Sequence, residues 1–260
     1  MVPLSDYIAR KIVARTRQYK EDPMLKANRR ALLLGALATA AAGRAYAQAP
    51  AGPFSQAPLG YAPEALEPHI DKMTMEIHHG RHHAAFITNL NNFAKDHASL
   101  GTTPVQTLLA NWQQLPEAAR VGIKNNLGGH ANHTMFWQIM TPGGAKEPGG
   151  ELKAAIDSDL GGFDKMKADF NAAGLRVFGS GWVFVTVGKD GKLALTSKPN
   201  QDSPLMDGQM VLFGNDVWEH AYYLKYQNRR NEYLAGWWNV ANWTKIGERF
   251  AAAKAGTLTI

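Results

Sequence analysis

The 260-residue chain contains no cysteine. A disulfide framework and a thiolate metal site are both excluded. A membrane span is also missing: the apolar stretch Ala31–Ala42 falls short of the roughly 20 residues a spanning helix needs. Nor does the bulk of the sequence favour either charge. The formal net charge is +6, but residues 1–47 hold nine Lys/Arg against three Asp/Glu, leaving 19 of each sign in the remainder. That balance gives no support to a basic nucleic-acid-binding face. Beyond the leader there is no repeat and no low-complexity segment.

The basic excess belongs to residues 1–47, which read as an export signal. Arg29-Arg30 precede the Ala31–Ala42 run, and Ala45-Tyr46-Ala47 supplies a small-x-small cleavage site. The paired arginines resemble the twin-arginine class of signal, which carries proteins already folded. This reading makes the protein exported and periplasmic, with no stable membrane span once the leader is removed; without a functional leader it is cytoplasmic. Residues 1–23 are an amphipathic preamble, and Met24 is an alternative start.

Residues 48–63, rich in Ala, Pro and Gly, are expected to form an extended arm. Residues 64–142 then carry two long helical patterns. The first begins at Pro68 and places Ile70, Met73, Ile77, Phe86, Ile87, Leu90 and Phe93 at helical spacing. Pro104–Trp112 suggest a short helix, and Pro116 is expected to open the second long one as its first residue. The Gly128-Gly129 pair is costly inside a helix, about 1 kcal/mol each against alanine, so something else must need the space. Thr141–Gly150 is the clearest linker. Residues 143–260 read as two helices (151–160 and 162–177), then strands at 182–187, 193–197 and 210–213 with a turn at Lys189-Asp190-Gly191, then helices rich in Tyr and Trp. The fold class is therefore α+β: an antiparallel helical hairpin followed by a mixed domain with a three-stranded antiparallel sheet.

Seven of the nine histidines fall in three stretches: 75–83, 128–133 and 216–220. His78 and His82 share one helix face, and His79 and His83 form a second stripe about 100° round. Four histidines in six residues cannot all bind one ion. One histidine from each of the first two stretches, with Asp216 and His220, would make a donor set of intermediate hardness that suits manganese, iron or zinc. A neighbouring amide such as Gln201 could tune the ion through its solvent. On spacing alone, a structural zinc site, or an iron oxygenase using two histidines and a carboxylate, remains open.

The same residues resemble the iron/manganese superoxide dismutases from about Tyr61 to Ala253. The resemblance rests on Leu66-Glu67-Pro68-His69, Met75-Glu76-Ile77-His78-His79, Gly129-His130-Ala131-Asn132-His133, Gly179-Ser180-Gly181-Trp182, Asn200-Gln201-Asp202-Ser203-Pro204 and Asp216-Val217-Trp218-Glu219-His220-Ala221-Tyr222-Tyr223. It implies superoxide dismutation at one manganese ion per subunit, with iron the alternative, bound by His78, His133, Asp216 and His220. It places His82 at the substrate channel, Trp182 and Trp218 as walls, and Gln201 in the outer shell. It further implies a homodimer in which Glu219 contacts His220 of the partner subunit and Tyr223 reaches the partner's His82. Gly129 together with Gln201 is the manganese-like pair, on the argument that a glycine there leaves room for the glutamine. Phe86 departs from the family, which usually has a tyrosine at this position, and Phe184 stands where tryptophan is common.

Overall fold

The computed structural model describes residues 52–260, which belong to one compact unit. The export signal expected at residues 1–47 lies outside the described residues. Among the described residues no helix is long and apolar enough to cross a membrane.

The first long helix begins at Lys72 and not at Pro68. Asp71 is its N-cap: its carboxylate accepts from the Thr74 backbone N at 2.8 Å and from the Thr74 hydroxyl at 2.6 Å. Lys72–Ile77 (α1), a π-helical segment His78–His83 and Ala84–Asp96 (α2) then run as one rod. The π segment coincides with the histidine cluster and has Gly80 inside it, so this glycine sits in a rewound helix rather than a weakened α-helix. After the short α3 (Val105–Ala110), α4 spans Arg120–Gln138. Pro116 does not open α4: Pro116–Ala119 close a turn, with Ala119 N donating to Pro116 O at 3.0 Å, and the helix follows it. The helices of this hairpin pack around Ile87, Leu90, Leu109, Ile123 and Leu127, all essentially without solvent exposure. Residues 52–62 carry no helix or strand. They are tied along the hairpin by Asn91, whose side chain accepts from Phe54 N and donates to Phe54 O, each at 3.0 Å.

Helices α5 (Gly150–Asp159) and α6 (Phe163–Arg176) precede strands β1 (Gly181–Val187), β2 (Leu193–Pro199) and β3 (Met210–Asp216). The sheet is antiparallel in the order β2-β1-β3, and central β1 is buried along its whole length. Gly191, at φ +78°, turns β1 into β2. β3 does not stop near Gly214. It continues to Asp216, which pairs with Trp182, and Gly214 makes this continuation possible: a Cβ there would lie 2.4 Å from the Phe184 ring. The pairing of β1 with β3 shifts register between Val185 and Thr186, and β3, at the edge of the sheet, has carbonyls free of β1. Buried Arg249 uses them, donating from Nε to Leu212 O at 2.9 Å and from Nη2 to Val211 O at 2.8 Å. Its helix α9 (Trp243–Lys254) is thereby stapled to β3. Short α7 (Tyr223–Tyr226) and α8 (Arg230–Trp237) lie between. Phe170, Phe213, Trp237, Trp238 and Trp243 form the aromatic heart of this half, with ring centroids 5.0–6.4 Å apart.

Candidate metal centre

Folding brings His78, His133, Asp216 and His220 together: one donor atom from each lies within 4.8 Å of the others. His78 opens the π segment, His133 lies on α4, Asp216 ends β3, and His220 is in the 3₁₀ turn Glu219–Ala221. The His78 and His133 Nε2 atoms are 2.9 Å apart, and Asp216 Oδ2 lies 3.1, 3.5 and 3.3 Å from the Nε2 atoms of His78, His133 and His220. Metal–donor bonds near 2.1 Å put neighbouring donors about 3.0–3.6 Å apart, so this spacing suits donors converging on one ion. Hydrogen bonding among themselves does not satisfy them. His220 Nε2 is buried without a hydrogen-bond partner despite its 3.3 Å approach to Asp216, because the alignment is wrong.

The protonation states fit a cation. Burial pushes His78 down to about 4 and His133 well below the usual imidazole value. Both are therefore neutral donors at neutral pH. Burial alone would raise Asp216, but the close approach of His220 and the hydrogen bond with His78 hold it below the ordinary carboxylate range, so it stays anionic. Orientation is also fixed. His133 Nδ1 donates to Gly129 O at 2.6 Å, leaving Nε2 to face the centre, and Asp216 Oδ1 accepts from Trp218 N at 2.8 Å, leaving Oδ2 to do the same.

Around this centre, His82 stacks on His220 with ring centroids 4.1 Å apart and is half-buried. Trp182 packs edge-on against His133 at 5.2 Å, and Trp218 lies 5.4 Å from His220. Phe184 stacks under Trp182. Trp182 Nε1 donates to Gln201 Oε1 at 3.1 Å, while Gln201 Nε2 is buried with no partner. Glu219 and Tyr223 are exposed.

Both halves of the chain match sequence models of known families. Residues 53–141 match the alpha-hairpin domain of the iron/manganese superoxide dismutases, and residues 148–249 match their C-terminal domain. The chain belongs to the iron/manganese superoxide dismutase family. Among its curated relatives, superoxide dismutase [Mn] 1 of Leptolyngbya boryana is 50% identical over 82% of this chain and 87% of its own length. Superoxide dismutase [Mn] of Thermus thermophilus is 51% identical over 77% of this chain and 98% of its own. The enzyme of the same name from Pseudomonas aeruginosa is 50% identical over 78% and 100%.

Two features of this superoxide dismutase family member lie beyond the sequence argument. The space at Gly129 is taken by Phe86, not by Gln201: a Cβ at Gly129 would lie 2.7 Å from the Phe86 ring, whereas one at Gly128 would lie 2.0 Å from the Gln201 carbonyl oxygen. Gly128 is thus the residue that admits the Gln201 backbone. His79 and His83, on the second stripe of the first cluster, are engaged elsewhere. Trp137 Nε1 donates to His83 Nδ1 at 3.0 Å and Gln56 Nε2 lies 3.2 Å from the same atom, so His83 Nε2 carries the proton and donates to His130 Nδ1 at 3.0 Å. His79 Nε2 lies 3.1 Å from Ala57 O. A buried tryptophan and an amide facing one imidazole nitrogen are contacts between distant segments, which helical periodicity does not reveal.

Proposed function

We infer that this chain is a superoxide dismutase holding one manganese ion, with iron the alternative, on His78, His133, Asp216 and His220. The observation that carries this is the convergence of three imidazoles and one buried carboxylate, gathered from distant segments, with His78 and His133 held neutral by burial. The bound ion supplies one-electron chemistry: one superoxide gives up its electron and leaves as dioxygen, and a second takes that electron with two protons and leaves as hydrogen peroxide. Asp216 offsets the ion's charge and favours its trivalent state. Gln201, its Oε1 committed to Trp182, has a buried and unpartnered Nε2 that would be available to stabilise negative charge at the centre. The stacking of His82 on His220 and its partial exposure support reading it as the residue at the substrate entrance. Of the basic groups nearby, Lys225 and Arg229 sit within 4.0 and 3.0 Å of Glu67 and Glu232, which weakens them as attractors of superoxide. Metal analysis of the purified protein alongside a superoxide-removal assay tests the reading. Manganese or iron with activity is expected; a protein that takes only zinc and removes no superoxide would overturn it.

Phe86 lacks the hydroxyl of the tyrosine usual in the family, and its ring packs 5.3 Å from that of His133. Phe86→Tyr is expected to change turnover at high superoxide flux, because the added hydroxyl can join proton delivery at the centre, and to leave metal content unaltered. Identical stopped-flow traces for the two proteins would remove this idea.

The homodimer and the export route belong to the same proposal. The dimer reading is supported by the exposure of Glu219, Tyr223 and Leu224 and by the fully exposed Phe178. The loop holding Phe178 is clamped beside Tyr222 by Arg230, which donates to Tyr222 Oη at 2.9 Å and to the carbonyls of Val177 and Gly179 at 2.7 Å. A fixed, exposed aromatic next to the turn that bears His220 suits an interface with a second copy. Glu219, Tyr223 and His82 are the groups that would reach across it. Export rests on Arg29-Arg30 and Ala45-Tyr46-Ala47. The purified periplasmic protein should start near Gln48 and sediment as two chains; an intact residue 1 on a monomer would sink both readings.

A further inference from the structure

One face of α4 grips the loop that carries Gln201. Lys124, Gly128 and Asn132 are spaced four apart, so they form a single stripe along the helix. Each meets the loop differently. Lys124 Nζ donates to Asp202 Oδ1 at 2.6 Å, in a pair whose side chains are only 17% and 29% exposed. Gly128 leaves the gap that the Gln201 carbonyl oxygen fills. Asn132, buried, donates from Nδ2 to that same oxygen at 3.2 Å. From the other side the loop is held by Ser180 O, which accepts from Asn200 N at 2.9 Å, and by Trp218 Nε1, which donates to Asn200 O at 2.8 Å. Asn200 sits at φ +52°, a left-handed conformation unfavourable for a side-chain-bearing residue and therefore dependent on these contacts.

His133 follows Asn132 on the same helix. One rigid element thus positions both a ligand of the ion and the backbone from which Gln201 projects. We propose that Lys124 and Asp202 are positioning residues for Gln201, an ion pair that latches the hairpin onto the 200–202 loop and sets how strongly the Gln201 carboxamide stabilises negative charge at the centre. This rests on the reading of Gln201 as a group that acts on the bound ion. The latch contributes through position alone. Asp202 and Lys124 neutralise each other, so the pair as a whole adds little field of its own at the centre.

The direction of the effect follows. An N–H donor that stabilises negative charge beside the ion favours the oxidised, more highly charged ion; loosening the loop weakens that preference. The test is a redox titration of the manganese-loaded enzyme as wild type, Lys124→Met, Lys124→Arg, Gln201→Leu and the Lys124→Met/Gln201→Leu double variant. Methionine keeps an apolar stem near the Trp112 ring, over which Lys124 Nζ now sits at 5.2 Å. At a fixed potential the oxidised-to-reduced ratio is expected to fall roughly threefold to tenfold in Lys124→Met, the scale of one partly buried ion pair. Lys124→Arg should restore most of it. Gln201→Leu should lower the ratio further, and adding Lys124→Met to Gln201→Leu should change nothing more, because the group through which the latch acts is gone. An unchanged ratio in Lys124→Met alongside a shifted one in Gln201→Leu would overturn the latch alone, as would an equal Lys124→Met shift in both backgrounds. An unchanged ratio in Gln201→Leu would overturn the reading of Gln201 and the latch with it.

Discussion

Asp216→Ala is expected to abolish both metal retention and superoxide removal while leaving the metal-free fold largely intact. Asp216 is the only carboxylate among the four converging groups, and its Oδ2 lies within 3.5 Å of all three imidazole nitrogens. Loss of an outer-shell partner typically lowers metal affinity about 10–100-fold, so loss of the anionic ligand itself should exceed roughly a hundredfold. The consequence for the metal-free protein is smaller. The carboxylate is fully buried, and its removal forfeits the bond from Trp218 N, about 1.5–3 kcal/mol for a charged acceptor. It also relieves the cost of keeping a charge out of water, so the two changes partly cancel. Thermal unfolding with and without added manganese separates the effects. The wild type should gain stability on metal addition, because an ion that binds only the folded state stabilises it by mass action; the variant should gain none. A variant that still carries one manganese per chain would remove Asp216 from the ligand set.

Gly128→Ala is expected to be the most damaging single methyl near the centre. Helix propensity alone predicts a gain of about 1 kcal/mol on replacing a mid-helix glycine by alanine. The added Cβ, however, would stand 2.0 Å from the Gln201 carbonyl oxygen, a backbone atom that no rotamer change can move aside. Overpacking of this kind costs about 1–3 kcal/mol, and displacing the carbonyl also breaks the bond from Asn132, about 1 kcal/mol more. The clash therefore outweighs the propensity, and a net loss of about 1–3 kcal/mol follows. Because the displaced backbone carries Gln201, the oxidised-to-reduced ratio of the bound ion should fall as well. Gly129→Ala meets the ring of half-buried Phe86, a side chain and not backbone, and should be milder on both counts. Denaturant unfolding and redox titration of the two variants check the order; equal behaviour of the pair would refute the assignment of the critical gap to Gly128.

Much of this architecture was legible in the residues. The apolar spacing along the hairpin, the alternation into three short strands and the turn at Gly191 follow from local periodicity and backbone preference. These act within a few residues and leave their mark on the order of side chains. The boundaries that were misread share a cause. Asp71 competes with Pro68 as a helix start and wins because its carboxylate caps Thr74; Pro116 closes a turn before α4; β3 passes through Gly214 because the Phe184 ring on the neighbouring strand occupies the missing side chain's place. In the last case the deciding atom lies 30 residues away in the chain.

The sequence by itself determined the kind of chemistry available here. Without cysteine, and with imidazoles and carboxylates clustered in a few short stretches, the chain offers a metal nitrogen and oxygen donors of intermediate hardness and no thiolate. Its helical and strand periods determined the order of the elements that carry them. Tertiary structure alone decided which histidines face the centre and which are tied up with Trp137 and His130, why Gly128 rather than Gly129 makes room for Gln201, and that Lys124 reaches Asp202. The reason is physical. Composition and periodicity report interactions among neighbours along the chain, whereas a coordination shell, a steric gap and an ion pair between two halves exist only when segments 55 or more residues apart are packed to within a few ångströms.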